Sequence, residues 1–81
     1  MMQPEQIRKI IADGMSCEHL QVAGDGQHFE ALIVSSEFVG KSRVQRQQRV
    51  NDVLRALFDS GELHALSMKT QTPDEWSAAR G

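Results

Sequence analysis

Within HFEALIVSS (residues 28–36), the stretch Ala31-Leu32-Ile33-Val34 is apolar without a break. Phe29, Ala31 and Ile33 alternate with His28, Glu30, Leu32 and Val34, so the segment reads as a strand whose far end has no polar side. Such a strand must be covered on both faces, which puts it at the centre of its sheet. It therefore needs a neighbour on each side. HLQVA (residues 19–23) supplies one, with Leu20 and Val22 on a common face and the GDGQ joint marking a hairpin turn. GELHALSMKTQ (residues 61–71) supplies the other. There His64 opens a strand, on the same side as Leu66 and Met68.

Helical signals flank these strands. Pro4 fits a first turn, Ile7, Ile10 and Ile11 follow at helical spacing, and Gly14 is a stop. Ser42 stands three residues before Gln45, a capping-box spacing. Val50, Val53, Leu54, Leu57 and Phe58 form one stripe on a helix that Gly61 ends. Thr72 caps a last helix, with Pro73 at its first position, Glu75 as the reciprocal partner and Trp76 as an anchor to the body. The order α-β-β-α-β-α gives an α/β (α+β) domain, a mixed three-stranded sheet with helices on one face. No repeat or linker interrupts residues 1–81, so a single domain is expected.

With 81 residues, 40% hydrophobic and 25% charged, the chain has the composition of a soluble globular domain. No apolar run reaches the length of a membrane span, and MMQPEQIRKI lacks the apolar stretch of a secretory signal. A single cysteine, Cys17, excludes an internal disulfide and any CxxC metal knuckle. Together these point to the cytoplasm. The formal net charge of −2 means that a nucleic-acid partner would need a local basic patch.

Three histidines are the chemistry-bearing residues. A neutral imidazole nitrogen binds borderline metals such as zinc and iron. His28 at the hairpin mouth and His64 at a strand start would supply half of a four-donor site. Each has a plain alternative: a solvated turn histidine for His28, a histidine bonded to a neighbouring carbonyl for His64. His19 reads as structural, and Cys17 as either a ligand or a small buried apolar residue. Lys41, Arg43, Arg46 and Arg49 gather at the start of the second long helix. Such a face either contacts phosphates, as in DNA binding, or is simply solvated. No nucleophile elbow, P-loop or HExxH motif points to an enzyme or a small-molecule substrate.

FVGKSRVQRQQRVNDVL (residues 38–54) followed by LHALSMKTQTPDEW (residues 63–76) resembles the BolA family, in its bacterial, histidine-loop type. The shared pattern is an aromatic-x-Gly-x-Ser-Arg connection, an Arg-rich helix, a strand-opening histidine and a TPxEW ending. It extends from about His19 to Trp76. Many members carry Arg-His-Arg where this chain has Arg46-Gln47-Gln48-Arg49, so no role resting on that histidine carries over. The resemblance implies a fold like the type II KH domain and a partner, a monothiol CGFS glutaredoxin. It also implies a 2Fe–2S cluster shared with that glutaredoxin and its bound glutathione, for cluster trafficking or for iron or stress sensing. His64 then matches the strand ligand and His28 the loop ligand. His28, beside a glycine-rich turn, is expected to be the less essential of the two. A stress-linked, DNA-binding regulator using the KH-like fold is the alternative. The GxxG loop with which KH domains clamp nucleic acid is missing from the sequence.

Overall fold

The central strand expected from the apolar run is β2 (Phe29–Val34) in the computed structural model, which describes residues 2–80. β1 (His19–Gly24) pairs with it antiparallel, Leu20 opposite Ile33 and Val22 opposite Ala31. β3 (Leu66–Gln71) pairs with it parallel on the other side, Phe29 opposite Leu66 and Ile33 opposite Thr70. The mixed sheet thus has the order β1-β2-β3.

α1 (Pro4–Gly14) precedes the hairpin. A 3-10 turn (Ser36–Phe38) leads from β2 into α2 (Arg43–Val53). α3 (Arg55–Ser60) and α4 (Pro73–Arg80) flank β3 in sequence. Ile7 and Ile11 of α1, Phe29, Ala31 and Ile33 of β2, Phe38, and Val50 and Leu54 from the second helical segment meet in one buried cluster. Alternation leaves Glu30, Leu32 and Val34 on the reverse face of β2.

Two features depart from the sequence expectation. The helix expected to run through to Gly61 is broken at Leu54, which has φ −98 and ψ 8. Leu54 is fully buried, and Leu57 N–H bonds back to its carbonyl at 3.0 Å, a tightened 3-10 type turn. The break keeps Val50 and Leu54 in the core while redirecting α3. Leu57 C=O then receives Leu63 N–H at 3.1 Å, after Gly61 turns the chain at φ +80.

The other departure concerns the expectation of helices on one face. α1 and α2 share a face, but α4 caps the end of the opposite one. Its Trp76 ring stacks on His19, centroids 4.7 Å apart. His19 pairs with Val34, which is fully buried yet lies outside the main cluster. That row of the sheet needs its own cover, and Trp76 provides it.

Arg46 ties the two layers together. Its side chain is only 14% exposed and grips Glu75 at 2.7 Å, while also donating to the carbonyls of Lys41 and Thr70. Glu75 in turn accepts from Thr72 N–H at 2.8 Å, and Thr72 Oγ1 accepts from Glu75 N–H at 3.2 Å. This is the expected capping box, with Arg46 added. The guanidinium and the Thr72 amide hold the Glu75 carboxyl down at about 2. A depressed carboxyl stabilises the fold above its ordinary value near 4.5 and loses that contribution as pH falls towards 2. Replacing Thr72 by alanine should lower unfolding free energy by about 1 kcal/mol, read from urea denaturation followed by far-ultraviolet circular dichroism.

Candidate functional site

The parallel pairing of β2 and β3 decides where the histidines fall. Phe29 stands opposite Leu66, so the residues leading into both strands meet at one end of the sheet. His28 is immediately before β2 and His64 two residues before β3, and both are exposed. His64 therefore does not open the strand, as its alternation suggested. It sits in the approach to β3, just after Leu63, which is fully buried and fixes the chain there.

His28 is held more firmly than a glycine-rich turn suggests. Asp25 Oδ1 accepts the N–H groups of both Gln27 and His28 at 2.9 Å, and Asp25 N–H donates to His28 C=O at 3.2 Å. An aspartate that closes a turn through its own side chain does so by mimicking the backbone. These amide bonds, His28's first, lower the Asp25 carboxyl below its ordinary value. Gly24 is required beside them, because a Cβ there would stand 2.5 Å from His28 C=O and from the Phe29 ring. The loop histidine therefore has a pinned backbone. The contrast between a rigid His64 and a loose His28 does not hold.

Cys17 lies elsewhere. It precedes β1, which runs antiparallel to β2, so it belongs to the Val34 end of the sheet. Strands of six residues put roughly 17 Å between the two ends. Burial pushes the Cys17 thiol up, with Glu37 and Glu18 adding to the shift. Cys17 therefore stands at the opposite end of the sheet from His28 and His64 and adds no donor to them. Among the described residues, no three of His, Cys, Asp and Glu are grouped to hold a metal. The histidine end offers two exposed imidazoles, half of a four-donor set, of a chemistry that suits iron.

His19, the third histidine, is committed to the Trp76 stack, and its Nε2 is buried with no hydrogen-bond partner among the described residues.

The basic helix face does not survive as a patch of four. Arg46 is taken up by Glu75 and two carbonyls. Arg49 donates to Glu37 Oε1 at 3.1 Å and to Gly14 C=O at 3.1 Å, joining the end of α1 to the 3-10 turn. A cation at a helix C-terminus also suits the helix dipole. Lys41 and Arg43 remain exposed and make no ion pair among the described residues. Phe29 and Phe38 are fully buried, which removes them as stacking surfaces.

Comparison with known proteins agrees with this architecture. A family profile described as BolA-like protein matches residues 3–75. The chain is 35% identical over 79 residues to the acid stress protein IbaG of Escherichia coli, covering 98% of this chain and 94% of that protein. A bolA protein homologue from Coxiella burnetii superposes with a TM-score of 0.85 at 36% identity, over 95% of this chain and 99% of that one. The BolA domain of SufE1 from Arabidopsis thaliana gives 0.77 at 38% identity, over 89% and 93%. No helix among the described residues is long and apolar enough to cross a membrane.

The Asp25 turn generates a pH prediction. Its carboxylate bonds are intact above the ordinary aspartate value of 3.8 and are lost as pH falls through the lowered folded value. The amide resonances of Gln27 and His28 should therefore titrate together below pH 3.8 in an NMR series, and Asp25→Asn should suppress that titration.

Proposed function

The chain belongs to the BolA-like family, and from that we propose that it is a non-enzymatic iron–sulfur adaptor, its histidine end docking on a monothiol CGFS glutaredoxin in the cytoplasm. The observation that carries this reading is the position of His28 and His64: both exposed, both brought to the same end of the sheet by the parallel register. Their chemistry suits iron, and their number suits a centre completed by another molecule. Kinship with a protein named for acid stress, and likeness to a BolA domain of SufE1, are in keeping with a stress-related iron–sulfur role.

In the complex, the glutaredoxin would contribute a cysteine and the thiolate of its glutathione. A 2Fe–2S cluster bound there supplies one-electron chemistry, at a potential that imidazole ligation raises above that of an all-thiolate set. This chain's own part is positional. The Asp25 turn and the close approach of Gly24 set the His28 backbone, and buried Leu63 sets the approach to His64. Exposure leaves both rings free to face a partner. Asp25, which the sequence marked only as part of the GDGQ turn, is thereby a positioning residue for the loop ligand.

Nucleic-acid binding takes second place. With Arg46 and Arg49 engaged internally, two free cations remain on the helix face rather than four. The salt dependence of binding to duplex DNA should then be shallow, with a log–log slope of about −2 at most. A steeper slope in a fluorescence titration would mean that the internal ion pairs open on binding.

Anaerobic cluster reconstitution with a CGFS glutaredoxin, followed by visible circular dichroism, tests the adaptor reading. His28→Ala and His64→Ala should each change the spectrum, and the double variant should lose it. All three should keep the far-ultraviolet spectrum of the folded chain, because both residues are exposed. A double variant with the unaltered visible spectrum would remove the ligand assignment.

A further inference from the structure

The outer edge of β3 has no neighbouring strand among the described residues, and three cations without an ion pair there, Lys41, Arg43 and Lys69, line it. Two hydrogen bonds fix which backbone groups face outward. From the β2 side, Ser35 N–H donates to Gln71 C=O at 2.9 Å. From the outer side, Arg46 Nη1 donates to Thr70 C=O at 3.3 Å. In a parallel strand each residue directs its N–H and C=O to the same side, and the sides alternate. The backbone N–H and C=O groups of Leu66 and Met68 therefore face outward with those of Thr70, where the order β1-β2-β3 supplies no further strand among the described residues. Arg46 closes the far end of this edge and leaves the stretch before it open.

A cleft of about 760 Å³ runs along the same edge, with Lys41, Arg43, Lys69 and Met68 among its walls. Lys69 pairs with Leu32, on the sheet face turned away from α1 and α2. Lys41 and Arg43 come from the α2 side. Cations thus stand on both faces of one edge. Arg46 and Glu75 also line the cleft but neutralise each other. The segment that carries Lys41 and Arg43 also exposes Val39 and Val44, at 64% and 61%.

We propose that this edge receives an extended acidic segment of a partner protein as a fourth strand. Its backbone pairs with Leu66, Met68 and the Thr70 N–H, the mode in which peptides add to open sheets. Successive side chains of an added strand point to opposite faces. Carboxylates on neighbouring residues would meet Lys69 on one face and Lys41 with Arg43 on the other. Lysine at an edge discourages pairing between identical edges, and a strand of opposite charge is favoured in its place. The exposed valines and the free backbone groups favour a peptide over a phosphate backbone. The proposal is independent of His28 and His64.

The test is an amide NMR titration of the full chain with an end-blocked decapeptide of valine, threonine and paired glutamates. A second peptide has the same charges with alternate backbone nitrogens methylated, and a third probe is a ten-nucleotide oligothymidylate. Saturable shifts should centre on Leu66, Met68 and Lys69, with slowed exchange at the Met68 and Thr70 amides. Methylation should weaken binding by about tenfold or more through lost backbone pairing. The triple variant Lys41→Glu, Arg43→Glu, Lys69→Glu should weaken it by a similar factor, about tenfold, while keeping its far-ultraviolet spectrum. Equal binding of the methylated peptide would reduce the edge to a nonspecific charge contact and overturn the proposal. Tighter binding of the oligothymidylate at these residues would overturn it in favour of nucleic acid. Absence of saturable shifts at millimolar peptide would overturn it outright.

Discussion

A strand with no polar side at its far end must be paired and covered all round, and β2 meets that demand by pairing antiparallel with β1 and parallel with β3. The antiparallel side needs only a short turn, which Asp25 closes. The parallel side needs a crossover long enough to carry the chain back to the start of β2. The 3-10 turn, α2 and α3 provide it, and in doing so they place Val50, Leu54 and Leu63 over the helix-side face of the sheet. The crossover also delivers His64 to the end at which His28 already stands. Core and candidate site are thus two outcomes of one pairing.

The same pairing makes the two ends of the sheet unlike. One end carries two exposed imidazoles. The other carries buried or committed groups: Cys17 with its raised thiol, His19 under Trp76, and the Arg46–Glu75–Thr72 lock. The lock joins α2, β3 and α4, so the closed end can serve as the rigid base for the open one. Arg49 does similar work for α1, through Gly14 C=O and Glu37. Arg46 and Arg49, half of the cationic cluster of the second helical segment, are thus spent inside the fold, while Lys41 and Arg43 stay at its surface.

What the sequence made legible was local. The hairpin, both capping boxes and the apolar alternation of β2 all depend on residues within a few positions of one another, and each is present. What it hid was long-range. Arg46 and Glu75 are 29 positions apart, and Arg49 and Gly14 are 35 apart, so no periodicity could mark those arginines as internal ties. The break at Leu54 follows from the path of the chain between Val50 and Leu63, which a continuous apolar stripe does not reveal. The start of β3 moved two residues past His64 because pairing with Phe29, rather than alternation, sets where the strand begins. One missed signal was local after all. Asp25 followed by Gly26 ahead of His28 is turn chemistry that fixes the loop histidine's backbone, and it could have been read from residue types alone.

The central claim is that imidazole nitrogens of this chain bind iron directly when a glutaredoxin completes the site. Pulsed electron paramagnetic resonance of the reduced mixed complex, with only this chain carrying nitrogen-15 histidine, tests it most directly. The account predicts strong nitrogen-15 couplings characteristic of a ligating nitrogen, lost when His28 and His64 are both replaced by alanine. A reduced cluster in the same complex with no strong histidine coupling would contradict it.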